Sequence, residues 1–218
     1  MKHKNLLIIG DSYSTFEGFI PDTHKFWYCP AGRPQTDVKA VEETWWYPLL
    51  DEMNFNLVRN DSWSGSPLAF WGWDNVDCSH SSSFIYRLEK LIDEGFFKEN
   101  KIDTLLAFGT TNDSWIGTEL GEIKFSDFKR DDFYRVCPAI CYFVSLLKKA
   151  APDADVVFIK NTGLKDGISD AISAACDHFG VRCLELHDIA KQSGHPNILG
   201  MSQIREQVKK FLTEAINQ

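Results

Sequence analysis

The sequence predicts an α/β protein built on a parallel sheet of about five strands, and three observations lead there. The run Leu6-Leu7-Ile8-Ile9 is apolar without alternation, as a strand covered on both faces must be. Such runs alternate along the chain with segments whose apolar residues recur at helical spacing. Two of them stop at a glycine followed by small polar residues, at Gly10-Asp11-Ser12 and Gly109-Thr110-Thr111-Asn112-Asp113. In open sheets of this kind the carboxyl ends of the strands are where ligands bind.

The first strand delivers Ser12 to the sheet rim, with Gly10 permitting the sharp turn. Taken alone, the same residues also describe a plain Gly-Asp-Ser turn that caps a helix. Residues 16–44 carry Pro21, Pro30, Gly32 and Pro34, too broken for a helix and too polar for a core strand, and are expected to wrap the surface near Ser12. From Glu43, Trp45, Trp46, Leu49, Leu50 and Met53 follow helical spacing, and Asn54 ends the helix before a short strand at Phe55, Leu57 and Val58. Residues 60–67 read as a loop. A helix over 84–97, a strand over 102–108 and a long helix over 127–151 kinked at Pro138 come next. A strand at 156–159, a helix at 168–179, a short strand from Val181 to Leu184 or Leu186 and a last helix over 196–216 complete the chain. No repeat, low-complexity tract or linker divides it, so the 218 residues are expected to form one domain.

Composition narrows the function. The net charge is −8, from 31 acidic and 23 basic residues with no dense Lys/Arg tract, which disfavours a nucleic-acid or anionic-membrane partner and suits a neutral or cationic small molecule. The apolar run near the start is too short for a secretory leader, so the chain reads as cytoplasmic. Its six cysteines form no C-x-x-C pair and no zinc spacing, and read as reduced core residues. No His/Asp/Glu group falls at ligand spacing for metal hydrolysis, and no cofactor is implied.

The strand-end loops hold what acyl transfer needs: a nucleophile, a base and hydrogen-bond donors for the developing oxyanion. Ser12 supplies the first. Donors are the N–H of Ser12, the N–H of Gly65, where a side chain would block close approach, and the amide of Asn112. The base is sought in Gly194-His195-Pro196-Asn197. Pro196 suits the first position of a helix, which would set His195 at the helix lip, where the dipole favours a neutral ring.

Gly10-Asp11-Ser12, the glycine of Asn60-x-x-x-x-Gly65, Gly109-x-x-Asn112-Asp113 and His195-Pro196-Asn197 resemble, in order, the four sequence blocks of the SGNH (GDSL) hydrolase superfamily. The resemblance implies a three-layer α/β/α, flavodoxin-like fold and cofactor-free ester hydrolysis. Ser12 would be the nucleophile, His195 the base, and Gly65 and Asn112 partners of the Ser12 N–H in the oxyanion hole. Two positions depart from the pattern. Tyr13 replaces the leucine of the family's short name and is expected to face the core. Gln192 stands three residues before the histidine, where the family places its aspartate. A neutral amide can hold the ring's tautomer but does not offset the imidazolium charge. Gln192, a main-chain carbonyl or an acid such as Asp188 would then orient His195.

The substrate is read from aromatic residues. Trp63 and Trp115 flank two strand-end loops, Asp113 follows Asn112, and Trp27, Tyr28, Trp71 and Trp73 lie in segments expected to overhang the same rim. Flat rings at a cleft mouth suit sugar faces as well as packing. A saccharide O-deacetylase is the expectation. The alternatives are a catalytically impaired protein of the same fold that binds a saccharide or another small ligand, and a flavin or nucleotide carrier. Asp11, sitting where a phosphate would approach, argues against the carrier.

Overall fold

A computed structural model describes residues 3–214. Five parallel strands, β1 (Lys4–Gly10), β2 (Phe55–Ser62), β3 (Thr104–Gly109), β4 (Asp155–Lys160) and β5 (Arg182–Glu185), pair in the order β2-β1-β3-β4-β5. This is the flavodoxin order, and its switch point lies between β1 and β3. Side chains alternate between two cores as the pleat requires. Leu7, Ile9, Leu105, Ala107, Val156 and Phe158 face one, and Leu6, Ile8, Leu106, Phe108, Val157 and Ile159 face the other. Each fully buried aliphatic side chain contributes about 2 kcal/mol of transfer free energy, so both faces need a cover.

The first face is covered by α2 (Phe84–Asp93), α5 (Val136–Ala150) and α6 (Asp166–Phe179), the second by α1 (Tyr47–Glu52), α7 (Ile198–Glu214) and the irregular 13–46 segment. The result is the expected three-layer α/β/α sandwich. Two short helices, α3 (Phe96–Glu99) and α4 (Thr111–Ile116), and a hairpin of β6 (Lys191–Gln192) and β7 (His195–Pro196) complete it. Among the described residues no helix is long and apolar enough to cross a membrane. All six cysteines are free, five of them buried.

Several boundaries differ from the sequence expectation, each for a local reason. The helix anticipated from Glu43 is a 3-10 turn at Val41–Glu43 and then α1, with Trp45 and Trp46 buried between them. Strand β2 runs on through polar Asn60, Asp61 and Ser62, because each finds a buried partner. Asn60 donates to the Ser14 carbonyl at 2.8 Å, Ser62 to Asn60 Oδ1 at 2.6 Å, and Asp61 pairs with Arg87 at 3.0 Å. The 84–97 helix breaks at Gly95, whose φ of 77° is left-handed. Pro138 does not kink a helix: it is the third residue of α5, where a backbone N–H has no intrahelical partner to lose. The last helix starts at Ile198 rather than Pro196, with Asn197 Oδ1 accepting from the Gly200 N–H at 2.9 Å, and its expected end at Ile216 lies outside the described residues. The 16–44 segment does reach the Ser12 turn, but Tyr28 and Val38 within it are fully buried core residues.

At Gly10 a Cβ would sit 2.5 Å from Ser62 Oγ and 2.8 Å from Ser14 Cβ. Gly10→Ala is therefore expected to destabilise the protein by about 1–3 kcal/mol through overpacking, read as a lower urea midpoint.

Candidate active site

At the end of β1, Asp11 accepts the Tyr13 N–H at 3.0 Å and caps a single 3-10 turn, Ser12–Ser14. That turn sets the Ser12 hydroxyl over the switch point. Its counterpart arrives on the β6–β7 hairpin, whose two-residue loop, Ser193-Gly194, has φ of 50° and 81°. Two positive φ values in a two-residue loop are the signature of a type I′ turn. Tyr13 Oη donates to the Gly194 carbonyl at 2.5 Å and Tyr28 Oη to the Pro196 carbonyl at 2.9 Å, fastening the backbone on either side of His195 to the core.

So held, His195 Nε2 lies 3.0 Å from Ser12 Oγ. Nδ1 faces the Ser193 carbonyl at 3.3 Å. A carbonyl only accepts, so Nδ1 carries the proton and the lone pair of Nε2 faces the hydroxyl. Gln192 does not orient the ring: its amide donates to the Pro34 carbonyl at 3.5 Å. Asp188 lies on an exposed turn, and among the described residues no carboxylate pairs with His195. Trp27 stacks on the imidazole with centroids 3.8 Å apart and planes within 8°, and the Arg33 guanidinium lies 5.3 Å from the indole centroid. Tyr13 and Trp115 approach the ring at 5.5 Å. Burial pushes the imidazole down to about 4; the Lys191 and Arg33 charges add to that and the Ser193 carbonyl opposes it. The neutral ring is thus a product of burial, since His195 lies in the hairpin ahead of α7 rather than at a helix lip.

The Gly65 loop is anchored by Trp63 N–H to the Gly10 carbonyl at 3.0 Å and Ser64 N–H to the Lys25 carbonyl at 2.8 Å. Gly65 itself has φ of 80°, and neither its N–H nor that of Ser12 has a partner among the described residues. The region after β3, read as a loop, is α4. It buries Asn112, whose Nδ2 donates to the Ser66 carbonyl and whose Oδ1 accepts from Trp73 Nε1, both at 3.0 Å. Asp113 is not placed to meet a substrate. It is fully buried and accepts the Leu68 and Ala69 N–H groups at 2.8 and 2.9 Å, tying the Gly65 loop to α4, and burial raises its carboxyl to about 6. Burial likewise lifts Asp11 to about 7.

A cleft of about 350 Å³ opens beside Gly65 and is lined by Trp63, Trp73, Lys25 and Ser82 among others. Trp63 packs on His24 at 4.3 Å, and Trp115, 42% exposed, stands on the His195 side. The neighbouring hydroxyls of Ser62 and Ser66 are engaged by Asn60 and Arg87. Among the described residues no three His, Cys, Asp or Glu side chains group to hold a metal ion.

Sequence reasoning missed three contributors, Trp27 as a stacking partner, the Tyr28 anchor and Arg87, while of the three orienters it offered for His195 it is the main-chain carbonyl, that of Ser193, that faces Nδ1. The Ser-Gly dipeptide before His195 was the available hairpin signal. A charged residue on the apolar stripe of 84, 88 and 91 was the signal for Arg87.

Two solved structures match over almost the whole length: proteins of Bacteroides ovatus ATCC 8483 and Bacteroides uniformis ATCC 8492, each classed as a GDSL-like lipase. The first is 40% identical, with a TM-score of 0.90 over 98% of this chain and 100% of that one. The second is 38% identical, with a TM-score of 0.89 over 97% and 96%. The fold is shared more distantly with an acetyl xylan esterase from the rumen bacterium Butyrivibrio proteoclasticus, at 17% identity and a TM-score of 0.64, over 100% of this chain and 65% of that one. Comparison with curated proteins gives no match. The family described as GDSL-like Lipase/Acylhydrolase matches residues 4–212, and the chain belongs to it as an ester hydrolase.

Proposed function

We propose that the protein is a serine esterase working through a Ser12–His195 dyad, and that its substrates are small acyl esters of saccharides. The observation that carries the dyad is the 3.0 Å contact between Ser12 Oγ and His195 Nε2 beside two uncommitted backbone N–H groups. Ser12 Oγ attacks the ester carbonyl while Nε2 takes its proton. The oxyanion is met by the Ser12 and Gly65 N–H groups and Asn112 Nδ2, each such donor contributing on the order of 3 kcal/mol in the transition state. His195 then protonates the leaving alkoxide, and in the second half deprotonates the water that frees Ser12. The Ser193 carbonyl keeps the proton on Nδ1 but brings no full charge to the imidazolium. The Trp27 face compensates in part, since a desolvated cation over an indole gains about 2 kcal/mol. The saccharide reading is supported by the half-exposed indoles of Trp73 and Trp115 about the site.

The absent carboxylate favours one rival, a binding protein with an idle dyad, and labelling separates the two. A fluorophosphonate is expected to modify Ser12, with Ser12→Ala unlabelled and His195→Ala slowed by on the order of 10²- to 10⁴-fold; no adduct on the wild-type chain leaves the binder. Asn112→Ala is expected to lower kcat by roughly 10²-fold. Acetate release from acetylated oligosaccharides is expected to exceed release of longer acyl groups, and a long-chain preference defeats the saccharide reading while leaving the esterase intact.

The base must be neutral to act, so kcat/KM is expected to hold as pH falls and to drop only near the imidazole value of about 4. Burial is the main cause of that low value. Opening the ring face to water with Trp27→Ala should therefore move the acid limb up toward the ordinary value of about 6.5. A limb already near 6.5 in the wild-type enzyme overturns this account.

A further inference from the structure

We infer that Trp73 is a positioning residue that fixes the oxyanion amide of Asn112 from the wall of the cleft beside Gly65. The inference rests on the reading of Asn112 as an oxyanion donor. The two ends of an asparagine amide have nearly the same shape and opposite hydrogen-bonding character. Catalysis needs the N–H end turned toward the reacting carbonyl, so something must choose the orientation.

Two groups choose it. The Ser66 carbonyl, which only accepts, takes one Nδ2 hydrogen at 3.0 Å. The Trp73 indole N–H, which only donates, holds Oδ1 at 3.0 Å. A flipped amide would set oxygen against oxygen and N–H against N–H, and Asn112 is 2% exposed, so water does not rescue it. The second Nδ2 hydrogen has no partner among the described residues and is the one left for the oxyanion.

Trp73 is braced for this task. Its loop closes through Gly72 N–H to the Val76 carbonyl at 2.8 Å and a bridge between Trp71 and Asp77. Its Cδ1 lies 4.0 Å from where a Cβ on Gly65 would stand, so the ring edge that bonds Asn112 also lies beside Gly65. Yet the residue is 46% exposed, with the rest of the ring lining the cleft. An exposed indole face is free to meet a ligand. This one presents a face to the incoming ester while its N–H edge sets the amide.

Trp73→Phe keeps the face and deletes the N–H. It is expected to lower kcat on a small acetate ester about tenfold with KM within twofold, to slow fluorophosphonate acylation of Ser12 equally, and to leave the acid limb of the pH profile in place. Trp73→Leu should lower kcat by the same factor and also raise KM for acetylated saccharides. The decisive measurement is a double-mutant cycle: Trp73→Phe should cost nothing further once Asn112 is alanine. An undiminished kcat in Trp73→Phe, or full additivity with a crippled Asn112→Ala, overturns the inference and leaves the oxyanion reading standing. An Asn112→Ala enzyme with wild-type kcat strikes the oxyanion reading itself.

Discussion

A buried guanidinium holds the site's framework together. Arg87, on α2, donates to the backbone carbonyl and the carboxylate of Asp61 at the end of β2, to the Gly10 carbonyl at the end of β1 and to Ser66 Oγ beside Gly65. The paired side chains are 3% and 2% exposed, and Asp61 also pairs with Arg59 at 2.8 Å, so it is the loss of Asp61 that would leave a buried charge, that of Arg87, without its carboxylate, at a loss on the order of 3–5 kcal/mol. Through those contacts one side chain sets the mutual position of two strand ends and the Gly65 loop. Ser12 and two of its neighbouring N–H donors hang from that framework, and Asp113 joins α4 to it from the other side.

His195, the proposed base, is organised by a different logic. Where a carboxylate would orient a catalytic imidazole and offset its charge, this chain separates the two tasks. Orientation comes from the Ser193 carbonyl and a turn fastened by Tyr13 and Tyr28. The charge is met by an indole face, with Arg33 and Lys191 both disfavouring the imidazolium. Such a ring stays neutral far into acid, which keeps it a base, but it is a weaker one: proton affinity is exchanged for a permanently correct protonation state.

Much of this was legible in the chain itself, for a physical reason. Strands buried on both faces need unbroken apolar runs, and β1, β3 and β4 show them, so the sheet and the residues at its rim follow from pattern alone. Ser12, Gly65, Asn112 and His195, picked out by residue type and spacing at the strand ends, are brought to one edge of the sheet. What escaped is satisfied from a distance. The polar end of β2 looks like a loop because nothing in residues 60–62 reveals Arg87, 26 positions from Asp61. Trp27 looks like one more rim aromatic because its partner lies in the last hairpin. The role of Asp113 was misassigned because adjacency to Asn112 says nothing about which way a helical neighbour points, and here it points into the core.

Ser12 and His195, the proposed nucleophile and base, are separated by 183 positions. Chain order therefore controls when chemistry becomes possible. A polypeptide leaving the ribosome can pair β1 with β2 and β3 early, but the imidazole emerges long after Ser12, and its hairpin needs the Tyr13 and Tyr28 hydroxyls already in place to be seated. On the proposed dyad, a chain not yet extended to residue 195 has no base, so the site would be completed only after its sheet has formed.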